Sequence, residues 1–200
     1  MAKLLALLLL AAVLLFACKQ DRDKSKEVVP ETPNIVGTNN KPDTDTALLL
    51  RKYVRDTLFF SDPAQPDFFI LEADGFEPKR TMLRFSIVNS KGIEIYSDSF
   101  KADLLLDDGI YDLTAKPTER ERNKYIIDKA NKFFDAKNVL KPAIKPGEEF
   151  SPEYSDKEIW QDIAGDTSAI GFYYLLAPNK GKSIAYSKKQ KKVVVYFSCC

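Results

Sequence analysis

Three groups of side chains in this sequence could do chemistry: two adjacent thiols, a set of close carboxylates and a run of amines. Cys199 and Cys200 are neighbours in the chain. Adjacent Cα atoms stand about 3.8 Å apart, short of the roughly 4.4–6.8 Å of ordinary disulfides, so a bond between them would be strained and easily reduced. The bland alternative leaves both as free thiols, with Cys199 packing as a small hydrophobe and Cys200 fraying or pairing between molecules. A redox or metal-binding tail would need an electropositive partner to form thiolate, and no Cys-x-x-Cys spacing supports it. Asp103, Asp107, Asp108 and Asp112 crowd one segment. Such oxygens suit Ca²⁺, but Asp107-Asp108-Gly109-Ile110-Tyr111-Asp112 does not follow the order of an EF-hand loop. The same residues, or Glu148 and Glu149, could supply an acid/base pair for glycosidic cleavage, provided two carboxyl groups face one cleft about 5–9.5 Å apart. Lys188, Lys189, Lys191 and Lys192, with Lys180 and Lys182, fall in a stretch of 21 residues that contains no acid. They could hold an anionic partner, or serve only to solvate turns and protect sheet edges.

Composition narrows these options. The 200-residue chain has no histidine, which removes Ser-His-Asp and Cys-His catalysis and every histidine-containing metal site. Thirty basic residues against 29 acidic ones give a net charge of +1, too balanced for a dedicated nucleic-acid binder. No phosphate-binding glycine loop, G-x-S-x-G or H-E-x-x-H occurs. The sequence therefore assigns no catalytic residue, no metal and no cofactor.

The leader speaks more plainly. Lys3 precedes an unbroken apolar run from Leu4 to Phe16, followed by Ala17 and Cys18. That is the layout of an export signal. As a helix, thirteen residues span about 20 Å, short of the roughly 30 Å hydrocarbon core, so the run is not read as a permanent span. Leu15-Phe16-Ala17-Cys18 resembles the lipobox of bacterial lipoproteins. The resemblance implies a diacylglyceryl group on the Cys18 thiol and cleavage just before it, with residues 1–17 as signal peptide. It implies a membrane partner through the lipid anchor, because two or three acyl chains hold a soluble domain stably on a bilayer. It also implies an oxidising compartment, where Cys199 and Cys200 would be the remaining thiols. Lys19 stands where an Asp would retain an enteric lipoprotein in the inner membrane. That points to the outer membrane. The following Gln20-Asp21-Arg22-Asp23-Lys24 is similar to the loose surface-export signal of Bacteroidota lipoproteins.

The elements that must position any site lie further on. Residues 18–45 read as the acylated Cys and a disordered tether, with Pro30, Pro33 and Pro42 among many charges and few aliphatics. Residues 46–200 read as a single globular domain. Thr46 to Phe60 fits either a helical stripe or a strand. Phe68–Ala73 reads as a strand. Thr81–Val88 and Ile93–Tyr96 read as a hairpin turning at Asn89-Ser90-Lys91-Gly92. A capping box at Thr118-Glu119-Arg120-Glu121 opens a helix expected to run to about Lys137. Ser155-Asp156-Lys157-Glu158 repeats the device before a short helix carrying Trp160 and stopping near Gly165. Ile170–Ala177, Ser183–Ser187 and Val193–Phe197 read as a meander. The expected fold is α+β: an antiparallel sheet of about five to seven strands, with two helices inserted between an N-terminal hairpin and a C-terminal three-stranded meander.

The hairpin from Ile87 to Tyr96, Glu158-Ile159-Trp160, and Ile184-Ala185-Tyr186 leading to the Cys pair give residues 68–200 a pattern similar to small Bacteroidota lipoproteins. That resemblance implies no activity. The functional expectation is a lipid-anchored cell-envelope module that binds or interacts without catalysis, with an envelope protein as a candidate partner and no nucleic acid. The alternatives are a carboxylate-dependent envelope hydrolase and a structural or assembly lipoprotein of an outer-membrane complex.

Overall fold

The computed structural model describes residues 49–113, 115–177 and 179–199. Within them the chain is α+β, and its strands form two antiparallel sheets of four. The first sheet is a meander of β1 (Tyr53–Asp62), β2 (Gln65–Ala73), β3 (Met82–Val88) and β4 (Glu94–Lys101). Two helices follow, α1 (Gly109–Leu113) and α2 (Glu119–Asn131). The second sheet contains β5 (Val139–Leu140), β6 (Gly171–Leu175), β7 (Gly181–Ser187) and β8 (Lys192–Cys199), with α3 (Lys157–Ala164) inserted between β5 and β6. No helix among the described residues is long and apolar enough to cross a membrane.

The expectation of one sheet is corrected to two. Their inner faces share a core instead of joining edges, and Phe69 and Phe85 of the first sheet lie 5.4 and 5.6 Å, ring to ring, from Phe172 of the second. The expected N-terminal hairpin is the second half of a four-stranded meander, because the ambiguous segment before Phe60 pairs with β2 as a strand. Its bulge near Asp62 is held by buried Asp67, whose carboxylate accepts from the Ser61 N–H (2.6 Å), the Ser61 hydroxyl (2.8 Å) and the Phe60 N–H (3.2 Å). The β3–β4 turn forms where expected. Asn89 accepts from the Lys91 and Ile93 N–H groups, and Gly92 takes φ +78°.

The capping box of α2 is present: Glu121 N–H donates to the Thr118 hydroxyl and Thr118 N–H donates to the Glu121 carboxylate. The helix ends at Asn131, six residues before the expected limit. Past it, Asp135 accepts from the Lys137 N–H and the Asn138 amide donates to the Phe133 carbonyl. These local side-chain bonds compete with helix continuation. They let consecutive Phe133 and Phe134 both enter the core, 4% and 9% exposed. The cap of α3 shifts by one residue: Asp156, not Ser155, accepts from the Glu158 and Ile159 N–H groups.

The two sheets differ in their surroundings. Behind the second, Ala185, Val194 and Tyr196 pack on Ile163 of α3 and on Ala143, Ile144 and Ala169, with Trp160 half-buried at the margin. Gly171 is required there, since a Cβ would meet the Tyr196 hydroxyl at 2.7 Å. The outer face of the first sheet has no such cover among the described residues, and Tyr53, Phe68 and Met82 lie exposed on it.

Candidate functional site

The end of α2, the segment leading into α1, and β6 enclose a cleft of about 330 Å³. Its base is apolar, built from Leu105, Phe133, Tyr174 and Leu175. Lys129, Lys132 and Lys137 stand around it with Asp107 and Asp128. A second cleft of about 430 Å³ lies between Leu58 and Phe69 on one side and Val139 and Phe172 on the other. Phe133 lines the first cleft and Phe134 the second, and their rings meet edge to face at 5.3 Å.

One wall of the first cleft is an Asp–Tyr–Lys cluster. The Tyr125 hydroxyl donates to one Asp107 oxygen (2.5 Å) and the Lys129 ammonium to the other (2.6 Å). Tyr125 and Lys129 meet because four residues on α2 bring side chains to one face. The Gly109 N–H also donates to Asp107 (3.0 Å), which pins the start of α1 to α2. A Cβ at Gly109 would meet the Tyr125 hydroxyl at 2.5 Å, so glycine makes the close approach possible. Burial opposes the charge on Asp107, but the hydrogen bonds from Lys129 and Tyr125 outweigh it and hold the carboxyl below its usual range. Burial likewise opposes the Lys129 charge, and Asp107 and Tyr125 overcome it, leaving the amine above its ordinary value.

A second Asp–Tyr–Lys cluster joins the sheets behind the cleft. Tyr174 of β6 and Lys182 of β7 both donate to one oxygen of Asp98 on β4, at 2.7 and 2.6 Å. With the Tyr174 proton directed at Asp98, Tyr96 donates to the Tyr174 oxygen across 2.6 Å. Burial pushes Tyr96 up to about 12 and raises Tyr174 as well, with the Asp98 charge adding to both.

The residues singled out from sequence scatter. Cys18 and Cys200 lie outside the described residues. Cys199 ends β8 as a half-buried free thiol, donating to the Asn179 carbonyl at 3.3 Å. Lys188, Lys189 and Lys191 form the exposed β7–β8 turn, and Lys192 begins β8. Lys188 is committed to Asp166 (2.7 Å) and Ser168 (2.9 Å). Lys182, counted with this run, faces the other way into the inter-sheet cluster. Asp103, Asp108 and Asp112 are exposed while Asp107 turns inward, and Glu148 and Glu149 lie exposed on the loop after β5. Among the described residues no group of three or more carboxylates or thiols converges on a point that could hold a metal ion. Sequence reasoning missed Asp98, Tyr125, Lys129 and Tyr174. The i, i+4 spacing of Tyr125 and Lys129 was the one available signal.

No family model, curated protein or solved structure matches the chain.

Proposed function

We propose that the chain is a lipid-anchored protein of the cell envelope, more readily of the outer membrane than the inner, whose folded part binds a ligand without converting it. The observation that carries the binding half is the cleft beside α2. It has an apolar base, a polar rim and a volume at the lower end of small-molecule sites. Its one inward carboxylate, Asp107, is hydrogen-bonded on both oxygens and kept charged, so it suits positioning better than proton donation. That weakens the hydrolase alternative, which needs a protonated carboxyl group facing an ionised one. The anchoring half rests on the Leu15-Phe16-Ala17-Cys18 motif.

A second reading, an assembly role in an outer-membrane complex, draws on the uncovered outer face of the first sheet, where Phe68 is 46% exposed and Tyr53 41%.

The test is capture of the full-length protein from gently solubilised envelopes beside a Cys18→Ala variant, with mass measurement of the mature N-terminus. The expected result is an acylated Cys18 in the membrane fraction, lost in the variant, with a small molecule retained by the protein. An uncleaved leader, or a soluble product cut elsewhere, would overturn the anchor. A stoichiometric protein partner bound through Phe68 and Tyr53 would replace the ligand reading with the assembly one.

A further inference from the structure

We propose that the cleft beside α2 takes a small carboxylate amphiphile of about ten non-hydrogen atoms in all, an apolar body ending in one negative charge. The inference rests on the reading of this cleft as the binding site and names the class of ligand it would hold.

Charge comes first. Five charged side chains line the cleft, and they do not cancel. Asp107 and Lys129 are engaged with each other at 2.6 Å. That leaves Lys132, Lys137 and Asp128. Among the described residues neither of these two amines has a carboxylate oxygen within 4.0 Å. The uncommitted charge at the rim is therefore positive. A neutral hydrocarbon seated here would draw water from two ammonium groups and return nothing, and a cation would be repelled. A carboxylate end at the rim would face this positive charge while its body lies below.

The apolar part of the ligand has an equally definite counterpart. Phe133 is 4% exposed and Leu105 5%, so the base is fixed by the core behind it. Leu113 is the reverse: it ends α1 on the margin of the cleft and is 74% exposed, the most exposed large hydrophobic side chain among the described residues. A leucine left in water at the mouth of an apolar cavity gains from any body that covers it. Size sets the length. At about 30 Å³ per group, the share of liquid volume taken by a water molecule, the cleft holds roughly eleven non-hydrogen atoms.

The test uses the mature chain, residues 18–200, with Cys18→Ser so that no acyl chain of its own competes. It is titrated calorimetrically with octanoate, octanol and octylammonium below micelle formation. Octanoate is expected to bind one to one and at least tenfold more tightly than octylammonium. Lys132→Ala with Lys137→Ala, both exposed sites, is expected to weaken octanoate at least fivefold and leave octanol unchanged. Leu113→Ser, also exposed, is expected to weaken octanoate and octanol alike. Octylammonium binding as tightly as octanoate, or a double lysine variant that binds octanoate like its parent, would overturn the assignment of an anion. If Leu113→Ser still weakens every probe in that case, the cleft remains a binding site and only the ligand class falls. If no probe binds, the reading of the cleft as a site falls with it.

Discussion

The two Asp–Tyr–Lys clusters use the same three side chains at nearly the same distances, yet they hold different things. In one, Asp107 accepts from Tyr125 and Lys129, 18 and 22 residues along the chain. In the other, Asp98 accepts from Tyr174 and Lys182, 76 and 84 residues away. The first fastens a five-residue helix to its neighbour and shapes the rim of a cleft. The second ties the first sheet to the second at a half-buried position. Chemistry alone does not set what an interaction is worth to the fold. The length of chain it closes and the elements it joins decide whether its loss is local or global.

The most severe way to probe that difference is to remove each acceptor. Asp98→Ala leaves the Lys182 ammonium and the Tyr174 hydroxyl half-buried without their acceptor. It is expected to lower global stability by about 2–3 kcal/mol in urea unfolding. Asp107→Ala is expected to cost about 1 kcal/mol or less, with the change concentrated in faster hydrogen exchange over residues 109–113. Equal global losses would end the comparison.

Trimming the donors should show the same order at smaller size. Tyr174→Phe is expected to cost about 1–2 kcal/mol and Tyr125→Phe about 0.5–1 kcal/mol, each read from the midpoint of thermal or urea unfolding. A double-mutant cycle between Tyr96→Phe and Tyr174→Phe should show coupling, whereas Tyr96→Phe with Tyr125→Phe should be additive.

Acid tests the first cluster through its carboxylate. Because the folded pKa of Asp107 is depressed, its contribution is present above the unfolded carboxylate value near 3.9 and is lost as pH falls through the lower folded value. Lys129 is raised, so its contribution is present at neutral pH and lost only as pH rises through a value above the ordinary amine range. Asp107→Asn should therefore flatten the stability–pH curve below about pH 4, the unfolded carboxylate region. An unchanged slope would show that Asp107 is not held as a carboxylate. The smallest effect is the control. Arg80→Ala breaks an exposed pair with Glu77, 3.8 Å apart, and should change stability by no more than about 0.5 kcal/mol.

Local signals in the sequence were legible where the physics was local. The capping box at Thr118 and the Asn89 turn rest on contacts within four residues, and both form as read. The three terminal strands carry apolar residues on both faces because α3 and its loops cover the second sheet from behind. The division into two sheets was not legible. Alternation along β1–β4 says which side is buried, and nothing in it says against what. The helix-like spacing that ran on to Phe133 and Phe134 was overruled by Asp135 and Asn138, whose side chains bond locally. The candidate site was harder still. Asp107 was visible as one acid among four, but its partners on α2 follow from the fold of residues 102–113 across that helix. Lys182 looked like a member of a solvated basic run until β7 turned it toward Asp98.

Ile184 and Ala185 are adjacent in β7 and both fully buried, one in the core between the sheets and the other beneath α3. With strands hydrogen-bonded on either side, this segment has no quick route to water. The consequence is one of time. Amides in β7 should exchange their hydrogens only when the whole unit opens, while those of β1, which has one uncovered face and pairs with one strand, escape by local fraying. β7 should thus be the slowest-exchanging strand among those described, and its exchange reads the free energy of opening the whole unit without any denaturant.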